Sequence, residues 1–224
     1  MFVGHYAFSY GAKRIDSTVP MWVLFLAVQF LDLLWAPLVL LDVEKVRIVP
    51  GFTASNALDL YYMPYTHGLL AALGWSALAY LAYRALGRGS TARGAVAVAI
   101  AVFSHWILDL VVHVPDLPLW DDRMKVGLGL WNRPGLAFAL EALVLFAGIA
   151  AYFTTGVVRR WPTLLFGALM VALLWWTRIG PAPTTDRAFA ASAIVSYVIL
   201  AVVAWLVERV SRNGIPTPAR PGVP

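Results

Sequence analysis

The chain has 224 residues, 61% of them hydrophobic and only 13% charged, with a formal net charge of +5 and a mean hydropathy of +0.74. Soluble domains carry about 25% charged residues, so this composition excludes an ordinary soluble domain and describes an integral membrane protein whose first partner is the lipid bilayer. The basic excess sits in short clusters between apolar runs, which reads as topology and not as a nucleic-acid footprint, and the lack of cysteine restricts any bound metal to nitrogen and oxygen donors.

Residues 1–12 (MFVGHYAFSYGA) are apolar but too short to cross a bilayer, which takes about 20 helical residues. Two readings are open: a half-helix that dips into the membrane and ends at Lys13-Arg14, or an amphipathic start lying on its surface. The basic pair follows the apolar stretch instead of preceding it, so the stretch does not read as a signal peptide. The first full span is predicted at 19–41, with Asp32 near its middle and a kink at Pro37. A polar loop over 42–66 turns at Pro50-Gly51, and Asp59 in it reads either as a cap for the next helix or as a functional residue. Further spans are predicted at 68–85, 95–114, 135–157, 161–177 and 188–207, with a second long loop over 115–134. Tyr61, Tyr62, Tyr65, Trp120 and Trp131 suit interfacial belts. The run Gly127-Leu128-Gly129-Leu130 lacks the lysine and strand context of a phosphate loop.

The expected fold is all-α: a polytopic transmembrane helix bundle of about six spans plus the short N-terminal half-helix. It forms one domain over 1–211, followed by a Pro-rich, disordered tail over 212–224. Six spans place both termini on one side, and the short loops there carry Arg84, Arg88, Arg93, Arg159 and Arg160. That bias predicts cytoplasmic termini and outward-facing long loops.

The chemistry concentrates around the third span. His105, Asp109 and His113 recur every four residues, which aligns them on one helical face, and Asp116 follows Pro115 where the helix should end. Asp32 and Asp109 each cost about 2.5–3.5 kcal/mol near the bilayer centre. An ion pair is the usual remedy, yet no Lys or Arg occurs over 15–44, 48–83 or 94–122. The partners are then histidines or a bound cation, against the competing reading of a protonated carboxyl hydrogen-bonded to a neighbour. The four histidines, His5, His67, His105 and His113, all fall where the topology lets them converge near the outer half of the membrane. The candidate metal ligands are therefore His5, Asp32, His67, His105, Asp109 and His113. Such donors suit Zn²⁺ best, and Mn²⁺ or Mg²⁺ if more oxygens join. Asp116 and Glu141 are the candidate catalytic acid–base groups; Asp116 reads equally as a ligand or a turn residue, and Glu141 as a snorkelling or capping group.

Gly4-His5, Asp32 in Leu31-Asp32-Leu33, Thr66-His67-Gly68, and Ser104-His105 with Asp109 occur in an order that resembles the membrane-bound metal-dependent hydrolases. This is the YdjM-like group, also labelled LexA-binding inner-membrane hydrolases. The resemblance covers about the first half of the chain. It departs from that pattern in lacking a second Asp and a His after Asp32, where Leu33-Leu34-Trp35 stands, and in having Tyr62-Met63-Pro64 in place of a His-Arg-Gly. The chain therefore looks like a divergent branch. The resemblance implies a bacterial cytoplasmic-membrane location and a hydrolase acting on an ester or phosphodiester of a lipid-like substrate.

Two other functions compete. Intramembrane Asp and His residues also mark the pathways of ion- or proton-coupled transporters and permeases, although the chain shows no repeated halves. A metal-stapled membrane protein without catalysis would use the same ligands in a closed site.

Overall fold

The computed structural model describes residues 1–87, 89–156 and 159–212. Arg88 and residues 213–224 of the expected tail lie outside the described residues. The fold is an all-α bundle with eight α-helices among the described residues: α1 (Tyr6–Ala12), α2 (Met21–Val28), α3 (Phe30–Leu40), α4 (Leu69–Leu86), α5 (Ala92–Val112), α6 (Pro134–Tyr152), α7 (Arg160–Ile179) and α8 (Asp186–Arg212). Five of them, α4 to α8, are long and apolar enough to cross a membrane; α2 and α3 pass the same test only as a bent pair, a broken span or a re-entrant loop.

Local sequence explains where the helices start and stop. Thr91 caps α5 by accepting a hydrogen bond from the Gly94 amide at 2.8 Å. Pro134 opens α6, where its missing N–H costs nothing. Helix α8 extends past 188–207 at both ends, carrying Asp186 in its first turn and Arg209 and Arg212 in its last, as the helix dipole favours.

The N-terminal half-helix settles its two readings by burial. Tyr6 and Tyr10 on α1 are enclosed by α2, α5 and α6, so the segment is core and not a surface anchor. Phe8 alone among its apolar residues is exposed; Tyr6, Ala7, Tyr10 and Ala12 are buried. The contact with α6 is backbone to backbone: a Cβ on Gly148 would lie 2.4 Å from the Ala7 carbonyl oxygen.

The first span bends by 53°, at Gln29 and not at Pro37. Pro37 is absorbed within α3. Gln29 leaves helical geometry (φ −104°, ψ 11°), and the preceding Val28 carbonyl turns to accept a hydrogen bond from His105. The bend thus answers a tertiary partner that local sequence does not show. The 42–66 loop contains an antiparallel hairpin, β1 (Lys45–Ile48) with β2 (Leu58–Tyr62). Asp59 caps no helix: it lies opposite Arg47 across this hairpin and accepts from Arg47 Nη2 at 2.5 Å and Nε at 3.0 Å.

Candidate metal centre

Helix α5 supplies His105 and Asp109, one turn apart and both buried. His113 is the C-cap of α5, with extended backbone (φ −63°, ψ 148°), so it leaves the helix where the four-residue spacing predicts a continued stripe. The segment 127–129 fastens this exit. Leu128 N–H donates to the Leu110 carbonyl at 2.8 Å, and Gly129 N–H to the His113 carbonyl at 2.6 Å. Gly127 is required there, since a Cβ would lie 2.1 Å from the Val114 carbonyl oxygen. Asp32 enters from α3 just past the bend, His67 from just before α4, and His5 from a 3₁₀ turn over Val3–His5.

All six predicted ligands meet. His105 Nε2 lies 3.0 Å from Asp109 Oδ2, and His5 Nε2 lies 3.2 Å from Asp109 Oδ1. His67 Nε2 is 3.3 Å from Asp32 Oδ1 and 3.8 Å from Asp109 Oδ2. His105 Nε2 is 3.7 Å from Asp32 Oδ1, and His113 Nε2 is 3.6 Å from Asp109 Oδ2. The His5 and His105 rings stack at 3.9 Å. Two triads, His5/His105/Asp109 and Asp32/His67/His105, each bring ligand atoms within 4.8 Å of one another. The histidines and Asp109 are buried, whereas the Asp32 side chain keeps 18% of its surface, which makes its side the open one.

The far nitrogens fix the rings. His105 Nδ1 is 2.7 Å from the Val28 carbonyl, and His113 Nδ1 is 2.8 Å from Asp116 Oδ1. Both partners accept, so in each ring Nδ1 carries a proton, and the neutral ring then presents its lone pair at Nε2. His67 Nδ1 is 2.8 Å from Thr66 Oγ1. His5 Nδ1 is buried with no hydrogen-bond partner among the described residues, and His105 Nε2 and His5 Nε2 face the Asp109 oxygens without hydrogen-bond alignment. Nitrogens left this way are costly, and a coordinated ion satisfies them. The donor set is nitrogen and oxygen, as Zn²⁺ prefers.

One cation escaped the count of lysines and arginines. The Met1 ammonium pairs with Asp109 Oδ1. It accounts for one carboxylate oxygen and for none of the imidazole nitrogens. Asp32 accepts a hydrogen bond from Tyr197 Oη at 2.6 Å.

Asp116 and Glu141 stand behind the ligands. Asp116 orients His113, and Glu141 Oε2 accepts from the Phe2 and Gly4 amides at 2.7 and 3.2 Å, tying down the segment that carries His5. Trp131 packs against His113 with ring centres 4.1 Å apart. Sequence reasoning missed Tyr197, Glu44 and the Val28 carbonyl. Tyr197 sits in an apolar run with no charged residue, and Glu44 lies in a loop.

No family model matches the chain, nor does any curated protein or solved structure. The reading of this centre therefore stands on its own geometry. Buried imidazoles and carboxylates at this spacing could hold a divalent cation, with Asp32 the least enclosed of the six.

Proposed function

We propose that the chain is a membrane-embedded metal-dependent hydrolase, a divergent member of the family it resembles, acting on an ester or phosphodiester of a lipid-like substrate. The observation that carries this is the convergence of imidazole Nε2 atoms from separate segments on Asp109 and Asp32, with His105 Nε2 buried against Asp109 Oδ2 at 3.0 Å but not aligned for a hydrogen bond. When bound, a divalent ion such as Zn²⁺ lowers the pKa of a coordinated water toward neutrality and polarises the scissile group. His5, His67, His105, His113 and Asp109 would hold it. Asp32 faces the open side, and a carboxylate there takes the proton released from attacking water. Tyr197 keeps that carboxylate aimed by donating to its other oxygen. Membrane depth supports a lipid-like substrate: His105 lies about 20 Å along α5 from its Ala92 end, inside the apolar layer. Cytoplasmic termini and a bacterial inner-membrane location belong to the same proposal.

Elemental analysis of purified wild type beside His105→Ala and Asp109→Asn tests it. Metal in wild type and its loss in both variants is the expected result; nil in wild type, or equal content in all three, overturns it. The near-complete burial of the histidines favours a second reading, a structural metal staple. Hydrolysis of a chromogenic phosphodiester or ester in detergent by the metal-loaded protein separates the two.

A further inference from the structure

The tautomer of His67 is not fixed by its immediate neighbour. Thr66 Oγ1, 2.8 Å from His67 Nδ1, can donate or accept. A second contact resolves it. Thr66 Oγ1 also lies 2.6 Å from Glu44 Oε2, and an ionised carboxylate can only accept. The single hydroxyl proton therefore goes to Glu44. Thr66 Oγ1 is left as an acceptor, His67 Nδ1 must carry a proton, and the neutral ring then faces Asp32 and Asp109 with its Nε2 lone pair.

We infer that Glu44 and Thr66 form a relay that positions His67 as a ligand; this rests on the metal reading above. Glu44 touches no ligand itself and acts through Thr66. It is completely buried, although it lies in the loop between α3 and β1. Its Oε1 accepts from the Tyr65 and Thr66 amides at 2.8 and 3.0 Å. These bonds close the base of the hairpin excursion and lock the Thr66 backbone, so the hydroxyl has one place to be. The carboxylate therefore serves a loop clip and a ring-orienting relay, and the two roles separate experimentally. A carboxylate behind a ligating imidazole also raises its basicity, and losing such a partner commonly weakens metal binding by roughly 10–100-fold.

The test is Zn²⁺ competition titration of the purified full chain, with nitrogen NMR of the metal-free protein to read the His67 tautomer. Thr66→Val keeps the shape of residue 66 and removes the hydroxyl; Thr66→Ser restores it. Glu44→Gln keeps an acceptor and the loop clip but removes the charge. Expected are an Nδ1-protonated His67 in wild type, Zn²⁺ affinity roughly 10–100-fold lower in Thr66→Val, rescue in Thr66→Ser, and an intermediate loss in Glu44→Gln. A wild type that binds Zn²⁺ while Thr66→Val binds it equally overturns the relay and leaves the metal centre standing. If wild type binds no Zn²⁺, the metal centre falls; the relay then falls with it as a ligand-positioning device, whatever tautomer NMR finds. Should Thr66→Val fail to fold, Glu44→Gln and Thr66→Ser decide alone: wild-type affinity in Glu44→Gln overturns the relay.

Discussion

The molecule buries charge in two places, and they are built on opposite principles. At the end of the bundle away from the histidines, Lys13 Nζ meets Glu208 Oε1 at 2.5 Å and the carbonyls of Ser17 and Val19. Glu208 also takes Arg212 at 3.1 Å and the Met21 amide at 2.8 Å. Every strong group in that clamp finds its complement within the chain. The histidine–aspartate centre has comparable burial but keeps unpartnered imidazole nitrogens. The contrast separates a clamp that closes helices α1, α2 and α8 against one another from a cluster whose donor atoms could also hold an ion. Burial of polar groups alone does not mark function; burial with capacity left over does.

Substitutions should break this contrast cleanly, and the largest effect belongs to the centre. His105→Ala or Asp109→Asn should bring metal content and hydrolysis to background while leaving the protein folded by circular dichroism. At the clamp the outcome reverses. Glu208→Leu alone leaves the buried Lys13 ammonium without a carboxylate and should cost about 3–5 kcal/mol in unfolding, Lys13→Met should cost less because Arg212 still pairs with Glu208, and the double variant should recover most of the larger loss. Metal per folded molecule should stay at the wild-type value in all three. Tyr197→Phe sharpens the comparison from inside the centre. Removing a hydrogen bond to a carboxylate, worth about 1.5–3 kcal/mol, should lower kcat/KM by at least tenfold and leave metal content unchanged.

The smallest effect concerns Asp16, beside the clamp. Hydrogen bonds from Thr18 and then Thr91 hold its carboxyl below the ordinary aspartate value. A depressed pKa in the folded state stabilises above the unfolded value and loses that contribution as pH falls through the folded one. Asp16→Asn should therefore lower the thermal midpoint slightly at neutral pH. The gap to wild type should close below about pH 4, where unfolded aspartate gains its proton.

Much of this was legible because two signals are strong on their own. Apolar runs of span length show as helices whatever their neighbours do, and carboxylates in apolar runs with no nearby basic residue demand a partner. His105 and Asp109 were readable as a pair from spacing alone. The bend was not, because Pro37 is a local signal while Gln29 bends for a bond between Val28 and a histidine far along the chain. The hairpin was hidden because two short strands in a polar segment carry little periodicity. Glu44, Thr66 and Tyr197 gained their roles only by folding: a loop carboxylate, a hydroxyl and a tyrosine in a lipid-like run look ordinary until something stands opposite them.

The close approach of α1 and α6 extends the centre further than its polar atoms do. His5 lies two positions before Ala7, whose backbone leaves no space above Gly148. A single methyl group at residue 148 must shove the short helix outward and carry an imidazole with it. A random screen for inactive variants should therefore return this featureless position alongside the histidines, and a screen restricted to ionisable side chains would pass it by.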